Sequence, residues 1–290
     1  MKFFRPILWC AGIALVFAAG FSAVSTVAVW RLTHPAHLAV DPVPADFPFP
    51  VENVRFPARD GVALAGWFLP CPGATCAAIL HGNGRSRRGL LSRARFLRAQ
   101  GYAILLYDAR GHGESSDALV SFGWYETRDL LGAQDILRNR GFTEFGLLGM
   151  SQGAATIALA APELRAVKWA VLEAPYATLR LALDRDTRMA VHLPGWFAGA
   201  LFPPLLKWRL GIDIDQFSPR DTVAALHCHV LIMVGGADPR ARPPDVREIF
   251  DHANQPKTFW VVPAQGHTSL YDRAKPDYEQ HFRSFLEAGP

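Results

Sequence analysis

The residues best suited to chemistry in this chain are Gly149-Met150-Ser151-Gln152-Gly153. An apolar run from Phe145 to Leu148 leads in and an alanine-rich segment, Ala154 to Ala161, leads away, which predicts strand, sharp turn and helix with Ser151 at the apex. Such a turn forces its apical residue into an unfavourable backbone conformation and leaves no room for flanking side chains. Glycine at 149 and 153 meets both demands. A serine held this way is exposed at the carboxyl end of its strand, and the backbone N–H of Gln152 points toward bound substrate. Taken alone, the five residues fit a serine N-cap between small neighbours equally well. What decides between the two is whether a base, an orienting acid and a second oxyanion donor stand in suitable places.

Three further stretches supply them. A short apolar strand ending at Leu80 runs into His81-Gly82-Asn83-Gly84, where glycines on either side of Asn83 let its backbone approach a ligand. A tetrahedral intermediate needs two N–H donors, and Asn83 and Gln152 are the expected pair. Val234-Gly235-Gly236-Ala237-Asp238 places a carboxylate just past one strand, and Pro263-Ala264-Gln265-Gly266-His267 places an imidazole just past the last. Serine is a poor nucleophile until a base takes its proton, and the imidazole must be held in the right tautomer by a carboxylate. Asp238 alone could be a turn former and His267 alone a surface residue; together, in the order Ser, Asp, His, they form a catalytic set. Pro239, Arg240 and Arg242 crowd the acid loop, and Glu173 is an alternative acid. The run His227-Cys228-His229 precedes a strand without a supporting carboxylate pattern, so no metal site is expected there. The chemistry needs no metal or organic cofactor.

The elements that must hold these groups alternate. Val51–Arg59 and Val62–Leu69 read as a hairpin turned at Asp60-Gly61. After them come strands near Ala77–Leu80, Tyr102–Tyr107, Phe145–Leu148, Lys168–Leu172, His229–Val234 and Thr258–Val262. Helical patterns near Arg87–Gln100, Tyr125–Arg140, Pro244–His252 and Pro276–Leu286 separate them. This predicts an α/β fold with a mainly parallel sheet covered on both faces, its working groups at the carboxyl strand ends. Residues 176–226 interrupt the alternation with large apolar side chains, among them Trp196, Phe197, Phe202, Leu205, Leu206, Trp208 and Leu210, and are expected to cap the site.

With 290 residues, half of them hydrophobic and 19% charged, the chain can bury one large core, and disorder is excluded on composition. The net charge of +4 comes from arginines spread along the chain, with no aromatic–basic recognition run, so a nucleic-acid partner is not expected. Ile7–Trp30 carries no charge and is long enough for a transmembrane helix, read as an uncleaved signal anchor within residues 1–32. Lys2 and Arg5 precede it, so the positive-inside rule places the catalytic domain, residues 51–290, on the extracytoplasmic side of the membrane. The proline-rich residues 33–50 read as a stalk. At an exported location, Cys71 and Cys76 are close enough in sequence for a disulfide across a turn.

These motifs, with Asp108-Ala109-Arg110-Gly111-His112-Gly113-Glu114-Ser115, resemble the α/β-hydrolase fold superfamily. From about Phe47 to the carboxyl terminus the chain is most similar to lysophospholipases and serine aminopeptidases of that fold. The resemblance implies Ser151 as nucleophile, His267 as general base and then acid, and Asp238 as its orienter. It also implies Asn83 and Gln152 as oxyanion donors and an ester or lipid as the small-molecule substrate. The Asp108–Ser115 loop is similar to a segment that shapes the active-site floor, so His112 is not the base. Readings as a peptidase, as an acyl-protein thioesterase or as a non-catalytic binding protein on the same scaffold stay open. Arg85, Arg87 and Arg88, next to the oxyanion motif, are candidates for attracting an anionic head group.

Overall fold

The structure is a computed structural model that describes residues 4–72, 75–191, 204–211, 213–268 and 270–289. Eight strands form one sheet: β1 (Glu52–Pro57), β2 (Ala63–Leu69), β3 (Cys76–Leu80), β4 (Ala103–Tyr107), β5 (Phe145–Met150), β6 (Val167–Glu173), β7 (His229–Gly235) and β8 (Lys257–Val262). Their spatial order is β1-β2-β4-β3-β5-β6-β7-β8. The pairs β1/β2 and β2/β4 are antiparallel, as a hairpin turned at Gly61 (φ 88°) requires, and every later pair is parallel.

The central strands β3, β4, β5 and β7 are buried at every position, which their unbroken apolar sequences anticipate for parallel strands covered on both faces. Alternate side chains point to opposite layers: Ala78 and Leu80 into one, Ala77 and Ile79 into the other. The helices are α1 (Phe4–Thr33), α2 (Leu91–Ala99), α3 (Glu126–Asn139), α4 (Gln152–Ala160), α5 (Leu179–Val191), α6 (residues 204–210), α7 (Pro219–Thr222), α8 (Pro243–His252), α9 (Leu270–Arg273) and α10 (Lys275–Glu287). One layer receives α3, α4 and α8 through Leu130, Leu137, Ile157 and Ile249. The opposite layer receives α2 and α10 through Leu91, Leu97, Phe282 and Phe285.

A third, smaller cluster lies over the strand ends and joins three separate stretches of chain. Leu179 and Leu183 of α5, Leu206 and Leu210 of α6, and Ile214 and Phe217 pack with Phe122 and with Val29 of α1. Of the large side chains in residues 176–226, Leu206 and Leu210 are buried in this cluster, Leu205 is partly buried and Trp208 is exposed. Trp196, Phe197 and Phe202 lie outside the described residues.

The N-terminal segment departs from expectation. Helix α1 is 30 residues long, yet among the described residues no helix is long and apolar enough to cross a membrane. Its last turns are occupied elsewhere: Ser25, Val29 and Thr33 are buried, Leu32 packs on the cap cluster, and the Thr33 carbonyl accepts from Val120 N–H at 3.0 Å. The proline-rich stretch after it lies along the domain, with Val40, Val43 and Phe47 packed on the layer that holds α2 and α10. The expected Cys71–Cys76 disulfide is absent and both thiols are free. Cys76 is instead committed to β3, paired with Ala103 on one side and Phe145 on the other.

Candidate active site

Four loops leaving carboxyl strand ends converge, carrying Asn83 after β3, Ser151 after β5, Asp238 after β7 and His267 after β8. Ser151 has φ 53° and ψ −113°, the strained conformation that the flanking glycines permit. A Cβ on Gly149 would lie 2.4 Å from the Gly153 carbonyl carbon, and one on Gly153 would lie 2.5 Å from the Leu80 oxygen. Both glycines are therefore dictated by close backbone approach. The turn is held from behind by Ser151 N–H donating to the Glu173 carbonyl at 2.7 Å.

Ser151 Oγ is 2.9 Å from His267 Nε2, and His267 Nδ1 is 2.8 Å from Asp238 Oδ2. Because a carboxylate only accepts, Nδ1 carries the proton and the Nε2 lone pair faces the serine hydroxyl. The other oxygen of Asp238 accepts from the backbone N–H of Arg240 at 2.8 Å and of Ala241 at 3.0 Å. Pro239 has no N–H to give, so the two residues after it bind the buried carboxylate instead. The loops that carry Asp238 and His267 are stitched together by Gly236 N–H on the Val262 carbonyl and Ala237 N–H on the Gln265 carbonyl.

Gln152 opens α4, so its backbone N–H has no partner within the helix. Across from it, Gly82 is so close to Ser151 that a Cβ there would lie 3.3 Å from the serine Cβ, which brings the His81–Gly84 loop against the serine. Two buried histidines fix that loop. His81 donates through Nδ1 to the Gly82 carbonyl at 2.8 Å and accepts Ala109 N–H on Nε2 at 2.9 Å. Burial pushes its pKa down to about 3, so it stays neutral. His112 donates through Nδ1 to the Arg110 carbonyl and accepts Gly84 N–H on Nε2 at 2.9 Å, one residue beyond Asn83. Burial lowers its pKa also. The Asp108–Ser115 loop thus braces the His81–Gly84 loop, and both ring nitrogens of His112 are engaged in that bracing.

Several candidates are placed elsewhere. Glu173 is fully buried and taken by Arg93, whose guanidinium donates at 2.7 to 3.1 Å, and by the Tyr278 hydroxyl, so it does not orient His267. Arg87 is buried over the Trp67 ring and paired with Asp108 and Glu114, and so cannot face a head group; of the three arginines first considered, only Arg85 lines the site. His229 packs its ring 4.2 Å from that of Phe285.

Ser151 and His267 open into a cavity of about 660 Å³. Its walls are mainly apolar, formed by Phe122, Met150, Tyr176, Leu179 and Leu183, and the end of α1 contributes Ala28, Arg31 and Leu32. Arg85, Arg240 and Asp186 are its other charged lining groups. Sequence reasoning missed the contribution of α1. Within an apolar run that reads as a bilayer span, nothing marks Ala28 or Leu32 as wall residues.

A mostly parallel sheet with serine, carboxylate and imidazole at the ends of β5, β7 and β8 defines an α/β hydrolase. The chain belongs to the serine aminopeptidase, S33 family, which matches residues 74–224, just over half its length. Among curated proteins, it is 29% identical to the uncharacterized protein Rv2307c of Mycobacterium tuberculosis over 224 residues, covering 74% of this chain and 72% of that one. It is 25% identical to the uncharacterized protein YqkD of Bacillus subtilis over 193 residues, covering 64% of this chain and 63% of the relative, a little under two thirds of its length. Among solved structures, the Pyrococcus furiosus esterase Pf2001 superposes with a TM-score of 0.74 at 21% identity, covering 89% of this chain and 98% of that one.

Proposed function

We propose that the protein hydrolyses carboxylic esters through an acyl-enzyme on Ser151. The observation that carries this reading is the hydrogen-bonded line from Ser151 Oγ through His267 to Asp238, with 2.9 Å and 2.8 Å links, at a serine with φ 53°. Ser151 Oγ attacks the ester carbonyl as its proton passes to His267 Nε2, and Asp238 stabilises the imidazolium. The backbone N–H groups of Asn83 and Gln152 receive the oxyanion. Collapse of the tetrahedral intermediate breaks the ester C–O bond, and His267 returns the proton to the leaving alcohol. Water, deprotonated by His267, then adds to the acyl carbon, releasing the acid and restoring Ser151.

The cavity favours an ester over a peptide. A free amino terminus needs a carboxylate, and the only one lining the cavity among the described residues, Asp186, already has Arg240 at 3.3 Å. In this proposal the protein also associates with a lipid surface on the extracytoplasmic side. The contact is the outward apolar face of α1, where Trp9, Leu15, Val16 and Val24 are exposed. Retention of the full chain in the soluble fraction, away from floated liposomes, would remove that part.

The decisive test is labelling of the full chain with a fluorophosphonate beside Ser151→Ala, with turnover of a p-nitrophenyl ester in parallel. Loss of both signals in the variant is expected. Labelling that survives Ser151→Ala assigns the reactive group to another residue and sinks the reading; no labelling of the wild type sinks it too and leaves a binding protein on a hydrolase scaffold. Turnover of aminoacyl amides or acyl thioesters in preference to oxygen esters would move it to the peptidase or thioesterase class.

A further inference from the structure

Gln152 borders two cavities. One is the catalytic cavity; the other is small, leaves about 10 Å³ for the centre of a water-sized sphere, and has Tyr107, Glu126 and Thr156 in its lining. That is room for one water and for no larger ligand. Two polar atoms of this lining lack a hydrogen-bond partner among the described residues, the Tyr107 hydroxyl and Gln152 Oε1. Both residues are deeply buried, Tyr107 at 1% exposure and Gln152 at 4%. An unpaired buried polar atom is costly, and two of them bordering one water-sized cavity point to a shared partner.

The other polar groups of the lining are already engaged. His81 uses both ring nitrogens, and Thr156 Oγ1 donates to the Gln152 carbonyl at 2.8 Å. Buried Glu126 accepts Ser121 N–H on Oε1 at 2.9 Å, and on Oε2 accepts the Ser121 hydroxyl and Gly123 N–H, each at 2.7 Å. Its Oε1 therefore keeps one lone pair. Burial, with the Asp129 and Glu126 carboxylates nearby, pushes the pKa of Tyr107 well above the ordinary tyrosine value, so its hydroxyl keeps the proton and is a donor.

We propose that this cavity binds one ordered water, which accepts from the Tyr107 hydroxyl and donates to Gln152 Oε1 and Glu126 Oε1, and that Tyr107 is through it a positioning residue for Gln152. The water then makes three hydrogen bonds, the usual number for a buried one, and both orphaned atoms are paired. The positioning role rests on the ester-hydrolase reading, in which the backbone N–H of Gln152 receives the oxyanion. That N–H follows directly on Ser151, whose φ of 53° is strained. Rotation of the Ser151–Gln152 peptide would relieve the strain and turn the N–H away from the oxyanion. A Gln152 side chain tied through water to the end of β4 and the start of α3 opposes that rotation. Glu126 also fixes the Ser121–Gly123 stretch, whose Phe122 lines the catalytic cavity, so one water joins the oxyanion donor to a wall of the site.

The test uses the full chain. A crystal structure at a resolution that shows ordered solvent should place one water within hydrogen-bond distance of the Tyr107 hydroxyl, Gln152 Oε1 and Glu126 Oε1. Tyr107→Phe removes the donor and keeps the ring; Gln152→Met removes Oε1 and keeps the backbone N–H and the side-chain length. On p-nitrophenyl butyrate each should lower kcat by about three- to tenfold, as for the loss of one neutral hydrogen bond, with KM unchanged. The double variant should be no slower than the slower single one, because both changes break the same bridge. A role in folding alone would lower the melting temperature and leave kcat of the folded enzyme as it is. Density without a water in the cavity, a direct bond between Tyr107 and Gln152, kcat within about twofold of wild type in both single variants, or losses that multiply in the double variant each overturn the proposal. Fluorophosphonate labelling is read on the same samples. A wild type that labels at Ser151 and gives any of those results loses the water bridge and keeps the hydrolase reading. An unlabelled wild type ends the hydrolase reading and the positioning role together, and the density alone then decides the water.

Discussion

Replacing His112 by phenylalanine tests whether the His81–Gly84 loop, with its proposed oxyanion donor, depends on this brace. The ring is buried, with Nδ1 donating to the Arg110 carbonyl at 2.8 Å and Nε2 accepting Gly84 N–H at 2.9 Å. His112 Nε2 also lies 3.1 Å from Asn83 Oδ1. Phenylalanine keeps the ring and removes all three contacts. An unsatisfied, largely buried N–H costs about 1–3 kcal/mol. The loop can avoid that cost by turning Gly84 N–H toward the cavity, because Gly84 has φ 64° and open space where a Cβ would stand. That rotation would move the neighbouring peptide of Asn83, the expected oxyanion donor. Complete loss of one such donor costs about 10²- to 10³-fold in kcat, so a misaimed one should cost about 10- to 100-fold, with KM changed no more than about threefold. Steady-state rates on p-nitrophenyl butyrate, with thermal melting on the same samples, separate the two effects. His112→Gln, which restores an acceptor, should regain part of kcat. If kcat of His112→Phe stays within about twofold of wild type while the melting temperature falls, the brace is structural only and the coupling to Asn83 is wrong.

Three further outcomes follow from the same geometry. Asp238→Asn should lower kcat by about 10⁴-fold with little change in KM, because the amide would favour the wrong imidazole tautomer; a loss under about tenfold in p-nitrophenyl ester kinetics would mean another acid serves His267. Gly153→Ala places a Cβ 2.5 Å from the Leu80 oxygen, a backbone atom that cannot swing aside, and should cost about 1–3 kcal/mol in urea unfolding together with most of the activity. His81 is held neutral with a pKa near 3, against 6.5 unfolded, so below pH 6.5 the unfolded chain takes up a proton that the native state refuses. Its share of stability is then present above pH 6.5 and is lost at about 1.4 kcal/mol per pH unit down to about pH 3. The acid slope of the urea midpoint should be shallower by that amount in His81→Gln, and equal slopes would contradict it.

How much of this was legible in the sequence depends on whether the signal was local. The elbow was, because Gly149 and Gly153 answer a backbone demand made within five residues. So was the phase of the sheet: β5 and β7 run directly into Ser151 and the Asp238 loop, and unbroken apolar strands between helical patterns leave few topologies. Asp238 and His267 could be paired from their order along the chain, although nothing local joins them; the stitching of Gly236 and Ala237 onto the Val262 and Gln265 carbonyls appears only in three dimensions. The same holds for His112. Its sequence neighbours place it in a floor loop, whereas its bond to Gly84 crosses 28 positions.

The apolar segments were the hard part, for a physical reason. A docking stripe is visible only against polar contrast on the other faces of a helix. In α1 the buried Ser25, Val29 and Thr33 recur at a four-residue spacing, as a packed face should. They are set among Val24, Val27 and Trp30, which are exposed and just as apolar, so hydropathy reads one uniform run. Length then suggests a bilayer, and the domain-facing stripe is invisible. In the cap the large side chains say only that something apolar is covered.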